Sequence, residues 1–218
     1  MRAMEHDLFG DAMLPATQSL GEGAVLLRGR ALREESSLLR SLADVIDAAP
    51  LRHMVTSRGF RMSVGMTNCG DLGWISDRRG YRYTPLDPQS ARAWPKLPPA
   101  FLALAAEAAA EAGFAGFTPD ACLVNRYAPG ARLSLHQDKD ERDFAQPIVS
   151  VSLGLPADFL FGGCERSDPA QRIRLTHGDI VVWGGPDRLR YHGVAPLEEG
   201  VHAALGPFRV NLTFRRAG

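Results

Sequence analysis

The spacing of apolar residues predicts two helices in the first half of the chain. Residues 31–48 carry apolar side chains at helical spacing, and Pro50 ends the run. The side chains on that face are Leu38, Leu39, Leu42, Val45 and Ile46. Residues 99–112 consist almost entirely of strong helix formers, and Gly113 is a natural stop.

Beyond Thr118 the pattern changes to short β-rich runs separated by Gly, Pro, Asp and Asn residues. The runs are ACLVNRY, IVSVSLGL, RIRLT, DIVVW and RVNLTF. Strands at this density, with few helices among them, favour an antiparallel sandwich or barrel. We therefore predict an α+β fold: a double-stranded β-helix (jelly-roll) barrel over residues 118–215, buttressed by the two helices.

No linker divides the chain, so we expect one domain over residues 1–218. Residues 52–96 are rich in Gly, Arg and aromatic side chains, and we predict that they form an inserted recognition segment, a lid. Residues 1–22 are expected to be mobile.

Overall charge argues against a globally basic nucleic-acid binder, because 25 Lys and Arg balance 25 Asp and Glu in the 218 residues. A local basic patch remains open. Residues 52–82 hold six arginines against Asp71 and Asp77, with Phe60 and Trp74 interleaved. Such a mixture suits contacts to phosphates and stacked bases. A solvated basic surface is the alternative.

Cysteine usage and hydropathy predict a cytoplasmic protein. Cys69, Cys122 and Cys164 are odd in number and far apart, which argues against a disulfide framework. No apolar run reaches the length of about 18 residues that a membrane span needs. The N-terminal residues lack the apolar core of a secretion signal.

The run LHQDKDE places His136, Asp138 and Asp140 at alternate positions. On an extended strand these side chains would leave the same face, where two carboxylates repel unless a cation is present. One histidine, one carboxylate and a distant histidine can form the facial triad that holds Fe(II). His192 in RYHGV is the candidate third ligand, although a loop histidine fits its spacing equally well.

A second His-X-Asp pair competes with the first. It comprises His177 and Asp179 and lies between two predicted strands, where Gly178 suits a tight hairpin turn. We therefore predict a structural role for this pair.

The last predicted strand has one polar face. Arg209, Asn211, Thr213 and Arg215 alternate with apolar residues, so they share that face. Two arginines on one face suit a ligand with a carboxylate at each end, although a solvated barrel face is also possible. Asn125 and Tyr127 likewise share one face of the run LVNRY and offer neutral hydrogen-bonding groups there.

Long ordered blocks of the sequence resemble the AlkB family of bacterial alkylated-DNA repair dioxygenases. The resemblance runs from about Gly23 to Arg215. The blocks are MVTSRGFRMSVGMTNCGDLGW, YRYTPLDPQ, PDACL, NRYAPGARLSLHQDKDE, PIVSVSLGLP, HGDIVVWGG, RYHGV and RVNLTFR. Departures are confined to residues 200–208 and to Val210, where an aromatic residue is expected.

The resemblance implies a role for each matched residue. The Fe(II) ligands, and hence the catalytic residues, would be His136, Asp138 and His192. The 2-oxoglutarate site would comprise Asn125, Arg126, Tyr127, Arg209, Asn211, Thr213 and Arg215, with Arg209 and Arg215 pairing the two carboxylates. The substrate would contact Trp74, Tyr81, Arg82, Tyr83, Asp140 and Arg166.

The implied activity is oxidative demethylation of 1-methyladenine and 3-methylcytosine in DNA, with a preference for single strands. The reaction would use Fe(II) as the cofactor, consume O2 and 2-oxoglutarate, and release formaldehyde, succinate and CO2. Asp140 would favour the cationic lesion, and Trp74 would stack on it. We expect a monomeric cytoplasmic enzyme of bacterial type without an obligate protein partner, for which RNA is an alternative substrate.

Two other functions stay open from the sequence. The chain could be a related oxygenase that acts on a protein or a small molecule, against which the basic aromatic lid and Asp140 argue. It could also be a catalytically silent nucleic-acid-binding domain, against which the complete ligand set and the paired arginines argue.

Overall fold

The computed structural model describes residues 16–218 and contains both predicted helices. They are α1 (Glu35–Ala48), preceded by a 3-10 turn over Arg30–Glu34, and α2 (Pro99–Glu111). Within the described residues, neither helix is long and apolar enough to cross a membrane.

Thirteen strands are described. They are β1 (Thr17–Ser19), β2 (Ala24–Leu27), β3 (Gly65–Gly70), β4 (Gly73–Asp77), β5 (Gly80–Thr84), β6 (Ala121–Tyr127), β7 (Leu133–His136), β8 (Ile148–Gly154), β9 (Ala157–Phe161), β10 (Gln171–Leu175), β11 (Ile180–Trp183), β12 (His192–Val194) and β13 (Arg209–Arg215). Their pairings are antiparallel throughout.

The strands form two larger sheets and a hairpin. The major sheet has the order β1-β2-β11-β8-β13-β6-β3, the minor sheet has the order β10-β9-β12-β7, and β4 pairs with β5 alone. Apolar residues of α1 and α2 pack with one face of the major sheet, for example Phe101 against Phe214. Residues of the minor sheet such as Phe159 and Phe161 pack against Trp183 of the major sheet. The predicted α+β jelly roll with two supporting helices is thus confirmed.

The barrel draws on more of the chain than residues 118–215. Strand β2 pairs with β11, and β3 pairs with β6 along its whole length. Strand β3 lies inside the predicted lid, residues 52–96, yet all its residues are buried. The β4–β5 hairpin of the lid forms a separate two-stranded sheet, and the loop before β3 is joined to the major sheet by the bridge between Arg52 and Met66.

Two further expectations need correction. Within the segment expected to be mobile, residues 1–22, Thr17–Ser19 form a strand, because their backbone pairs with β2. The rest of that segment, residues 1–15, lies outside the described residues. Gly178 adopts the left-handed conformation of a turn (φ 88°), but the turn is not a hairpin. It connects β10 of the minor sheet with β11 of the major sheet.

Close packing of β7 against β12 requires a glycine at position 193. A Cβ atom there would lie 2.6 Å from the Leu133 carbonyl oxygen and 3.1 Å from the Leu135 nitrogen. Residue 193 follows His192, which pairs directly with His136 across the two strands. The glycine therefore lets these two histidines approach each other.

We predict that Gly193→Ala lowers the free energy of unfolding by about 1–3 kcal/mol, because the methyl group must push the two strands apart. Urea denaturation measures this loss. The control is Gly65→Ala in β3, where the nearest non-neighbouring atom would lie 3.7 Å away. Equal losses in the two variants would contradict the packing argument.

Candidate metal centre

Three candidate ligands meet where β7 and β12 pair. His136 ends β7, His192 begins β12, and Asp138 follows β7 by two residues. The Nε2 atoms of His136 and His192 each lie 3.7 Å from an oxygen of the Asp138 carboxylate. One ligand atom from each residue lies within 4.8 Å of the others, which brings together the three residues predicted as iron ligands.

Backbone carbonyls orient both imidazoles toward Asp138. The Nδ1 atom of His136 lies 2.9 Å from the Ser134 oxygen, and that of His192 lies 3.0 Å from the Arg190 oxygen. A proton on Nδ1 can be donated to each carbonyl, which leaves the Nε2 lone pair for a metal. Burial and the neighbouring His136 lower the pKa of His192 to about 4, so its ring is neutral at neutral pH, as a ligand must be.

Arg215 controls the third ligand. Its Nε and Nη2 atoms donate to Oδ2 of Asp138 at 2.8 and 2.5 Å. Burial alone would raise the pKa of the Asp138 carboxyl, but Arg215, His192 and His136 together hold that pKa well below its usual range. The carboxylate is therefore ionised, with Oδ2 held by Arg215 and Oδ1 facing His136. Two imidazoles and one such carboxylate fit Fe(II).

Arg209 offers a buried positive charge with unpaired donors. It is 1% exposed, and its Nη2 atom donates to the Ser152 hydroxyl at 3.0 Å. Its Nε and Nη1 atoms are buried and have no hydrogen-bond partner among the described residues. A buried guanidinium in this state is costly unless an anion reaches it. Arg209 thus fits a carboxylate of 2-oxoglutarate.

The neighbours of Arg209 form the predicted polar wall. Antiparallel register places Tyr127 opposite Arg209 and Asn125 opposite Asn211. Asn211 accepts a hydrogen bond from the Thr213 hydroxyl at 2.7 Å and donates to the Ser150 hydroxyl at 2.8 Å. The buried Oδ1 atom of Asn125 has no partner within the described part of the chain. These residues offer further hydrogen-bonding groups for a polar ligand.

Arg126 does not join this wall. Successive residues of a strand face opposite sides, and Arg126 lies between Asn125 and Tyr127 in β6. Its guanidinium lies 4.6 Å from the centre of the Phe208 ring. The structure therefore separates Arg126 from the other predicted cosubstrate residues. Arg215 does lie on this face, and its Nε and Nη2 atoms donate to the candidate ligand Asp138.

Trp74, Tyr81 and Asp140 come together at the predicted lid. The Trp74 ring on β4 stacks on the Tyr81 ring of β5, with centroids 5.5 Å apart and planes 17° apart. The Trp74 Nε1 atom donates to Asp140 Oδ2 at 2.8 Å. Tyr81 and Asp140 also line a cavity of about 320 Å³.

The other three predicted substrate residues have different partners. Arg82 forms a two-point ion pair with Asp77 of its own hairpin, at 3.0 and 2.7 Å. Tyr83 points inward and donates to Glu141 at 2.6 Å, and burial raises the pKa of its phenol. Arg166 donates to the Leu135 oxygen at 3.0 Å, one residue before His136. Of the three, only Arg166 is exposed.

Sequence reasoning missed two residues, Glu141 and Arg188. Their side chains are 2% and 3% exposed, and they form an ion pair at 3.1 Å. Arg188 also donates to the Asp138 backbone oxygen at 2.8 Å and to the Gln146 oxygen at 2.9 Å. Glu141 accepts from Tyr83 and lies 3.3 Å from the Nε atom of Arg215. The only sequence signal was their position next to Asp140 and four residues before His192.

In the competing His-X-Asp pair, Asp179 has a structural role. Asp179 is 1% exposed and accepts hydrogen bonds from Arg28 and from the backbone of Gly29 and Thr176, at 2.8–2.9 Å. Among the described residues, only His136, Asp138 and His192 form a group of three metal-ligating side chains that are close enough together to bind an ion.

Comparisons with known proteins agree with this donor set. A family profile described as the 2OG-Fe(II) oxygenase superfamily matches residues 23–215. The chain is 58% identical to the alpha-ketoglutarate-dependent dioxygenase AlkB of Salmonella typhimurium over 97% of both chains. It is 56% identical to AlkB of Escherichia coli, over 97% of this chain and 98% of that one. A solved structure of OsALKBH1 is similar with a TM-score of 0.80 and 29% identity, over 92% of this chain and 99% of that one.

We predict that Arg188→Ala lowers the free energy of unfolding by about 3–5 kcal/mol, because it leaves the Glu141 carboxylate buried without its main partner. Urea denaturation measures the loss. The control is Arg172→Ala, which removes an ion pair of similar length (2.9 Å) whose arginine is 66% exposed. That variant should lose about 0–1 kcal/mol. Similar small losses in both variants would show that the buried pair is not needed for the fold.

Proposed function

Since the chain belongs to the 2OG-Fe(II) oxygenase superfamily, we propose that this dioxygenase removes alkyl groups oxidatively from bases of single-stranded DNA. Its cofactor is Fe(II) and its cosubstrates are 2-oxoglutarate and O2. The observation that carries the proposal is the position of the Trp74–Asp140 pair. Asp140 lies two residues beyond the ligand Asp138, so a base held by this pair would be close to the metal.

His136, Asp138 and His192 would hold the iron. When bound, it would supply an oxidation in which one oxygen atom of O2 enters succinate as 2-oxoglutarate loses CO2 and the other hydroxylates the N-methyl carbon, whose hemiaminal then releases formaldehyde. The chain's own contribution is geometric and electrostatic. The Ser134 and Arg190 carbonyls fix the imidazoles, and Arg215 fixes the carboxylate.

Arg209 would bind a carboxylate of 2-oxoglutarate through the donors that lack a partner in this structure. A carboxylate could accept one hydrogen bond from Nη1 and a second, parallel one from the Nη2 proton that Ser152 does not accept. Tyr127 and Asn125 line the same face and would contact the rest of the molecule. The site thus binds a dianion by placing a fixed positive charge where water is excluded, which favours a charged over a neutral keto acid.

Asp140 and Trp74 would select the lesion. The bases 1-methyladenine and 3-methylcytosine carry a positive charge that unmethylated bases lack, and a carboxylate favours that charge. The hydrogen bond from Trp74 fixes the orientation of Asp140, and the indole face that Tyr81 does not cover would stack on the base. The base must leave its stack to reach the pocket, which costs least in a single strand.

The loop before β3 would contact the strand. Phe60 is 69% exposed at its tip and lies between the exposed arginines Arg58 and Arg61. Two hydrogen bonds connect this loop to β4 and to the residue before β7. The Ser76 hydroxyl of β4 donates to the Val55 oxygen at 2.6 Å, and the Ser63 hydroxyl donates to the oxygen of Arg132, next to β7. Arginines with an exposed ring suit phosphates and stacked bases.

We further propose that the enzyme acts as a monomer in the cytoplasm, without an obligate protein partner. One chain supplies every residue that the proposed iron, cosubstrate and base contacts need. The silent nucleic-acid-binding domain is set aside, because the superfamily and the AlkB relatives are enzymes. An oxygenase acting on peptides or free nucleosides is the remaining alternative.

The test is an oligonucleotide that carries one 1-methyladenine, incubated with protein, Fe(II) and O2, with and without 2-oxoglutarate. Mass spectrometry should show loss of the methyl group only when 2-oxoglutarate is present, and faster in a single strand than in a duplex. Asp138→Ala, which removes a ligand, should abolish the reaction while circular dichroism shows a folded protein. RNA, peptide and nucleoside arms complete the panel, and demethylation of none of the nucleic acids would overturn the proposal.

We predict that Asp140→Asn lowers kcat/KM for 1-methyladenine about tenfold, because one charged contact to the cationic base is lost. The neutral lesion ethenoadenine should be affected much less. Asp71→Asn, which removes the same charge from an exposed position on the lid side, is the control. Equal effects of Asp140→Asn on both lesions would contradict selection by charge.

A further inference from the structure

His177, the histidine left over from the competing His-X-Asp pair, contacts the backbone that holds Arg209. Its Nδ1 atom accepts a hydrogen bond from the Gly154 N–H at 2.9 Å. Gly154 is the direct cross-strand partner of Arg209 in the pairing of β8 with β13. One residue later, the Gly178 N–H donates to the Ser152 oxygen at 2.8 Å, and the Ser152 hydroxyl accepts from the Arg209 guanidinium. Both contacts therefore converge on Arg209.

A short turn that leads into β13 packs on the other side of His177. His202 and Gly206 exchange two backbone hydrogen bonds of 2.8 Å, which close the 202–206 turn. The His202 ring lies against the His177 ring, with centroids 4.4 Å apart and planes 32° apart. The chain then passes Phe208, whose oxygen accepts from the Leu155 N–H at 3.0 Å, and enters β13 at Arg209. His202 thus links the approach to Arg209 with His177.

The backbone at Gly154 leaves little room for another arrangement. Gly154 has φ of 86°, and a Cβ atom there would lie 2.4 Å from the Phe208 oxygen. The chain before Arg209 therefore packs directly on this residue. The N–H of a residue in this conformation is directed away from the regular ladder, and the His177 imidazole satisfies it.

We propose that His177 is a positioning residue for the cosubstrate, because it holds Gly154 and the 202–206 turn in the arrangement that directs Arg209 toward 2-oxoglutarate. The inference rests on the assignment of Arg209 to the cosubstrate in the proposed function. The proposal gives a role to His177, the histidine of the second His-X-Asp pair, which the iron site does not use. It also involves residues 200–208, where the chain departs from the family pattern.

The arrangement requires a neutral imidazole. Because Nδ1 accepts the Gly154 N–H, the ring proton lies on Nε2, which is 3.1 Å from a Glu35 carboxylate oxygen, off the hydrogen-bond axis. The titratable groups that face His177 in the described structure are Glu35 from α1 and His202. Burial and His202 lower the pKa of His177 against the opposing influence of Glu35. Protonation in acid would place a hydrogen on Nδ1 facing the Gly154 N–H, and the contact would be lost.

The test is equilibrium binding of 2-oxoglutarate to the Mn(II)-loaded protein without O2, measured by calorimetry. His177→Leu should weaken binding about fivefold, since one buried hydrogen bond is lost. His177→Asn should stay within about twofold of the wild type, because the amide oxygen can replace Nδ1 as the acceptor. Unchanged binding by His177→Leu, or equal losses in both variants, would overturn the inference.

Two controls separate positioning from general destabilisation and from failure of the cosubstrate assignment. Leu42→Ala in α1 removes a buried side chain that takes no part in the hydrogen bonds between His177, Gly154 and Arg209, and it should lower the melting temperature without changing the affinity. A matching loss of affinity in Leu42→Ala would overturn the positioning role. Arg209→Gln should weaken binding more than any His177 variant. If it does not, the proposed cosubstrate site is wrong, irrespective of the His177 result.

The pH dependence gives an independent readout. Wild-type affinity for 2-oxoglutarate should fall as the pH is lowered below the ordinary imidazole pKa of about 6.5, because the lowered pKa of His177 delays its protonation to that acidic range. His177→Asn has no titrating group at this position, so its affinity should fall less over the same range. Parallel curves for the two proteins would contradict the requirement for a neutral imidazole.

Discussion

One oxygen of the Asp138 carboxylate contacts a buried arginine and the other faces the proposed metal position. The rest of the site depends on these two contacts. Arg215 holds Oδ2, while Oδ1 faces the imidazole of His136. A carboxylate held in this way stays ionised in a buried environment and presents a single oxygen to the metal. The second arginine of the same strand face, Arg209, then remains available for the cosubstrate. The two guanidinium groups of β13 thus have different partners: Arg215 pairs with Asp138, and Arg209 donates to Ser152.

Charge balance extends from Asp138 to the lid. Two arginines, Arg188 and Arg215, meet two carboxylates, Asp138 and Glu141, so the buried network is neutral before iron and 2-oxoglutarate add opposite charges. Tyr83 donates to Glu141 and connects the network with the β4–β5 hairpin, which also carries Trp74. Glu141 and Arg215 therefore connect the hairpin that would hold the base to the candidate ligand Asp138. A misplaced hairpin would disturb both, because partly satisfied buried networks are costly.

Alternation along single strands was enough to predict the polar face of β13 and to single out His136 and Asp138, whereas the choice of His192 over a loop histidine came from the family resemblance. The assignment of Arg126 to the cosubstrate site also came from the resemblance, although alternation along β6 places it on the face opposite to Asn125 and Tyr127. Local patterns failed where tertiary contacts decide. Glu141 and Arg188 escaped notice because a buried ion pair has no periodic signal. Strand β3 was included in the predicted lid, because its pairing with β6 is a long-range contact that local patterns do not show. The turn at Gly178 was correct as a turn, but only the sheet topology shows that it links two sheets.

The most direct measurement of the central claim compares Fe(II) and 2-oxoglutarate affinities in Arg215→Gln and Arg209→Gln, titrated without O2. If Arg215 orients the ligand and Arg209 binds the cosubstrate, Arg215→Gln should weaken Fe(II) binding about 10–100-fold. Arg209→Gln should leave Fe(II) affinity nearly unchanged and weaken only 2-oxoglutarate. An Arg215→Gln protein that binds Fe(II) as tightly as the wild type and loses only 2-oxoglutarate affinity would contradict the division of tasks between the two arginines.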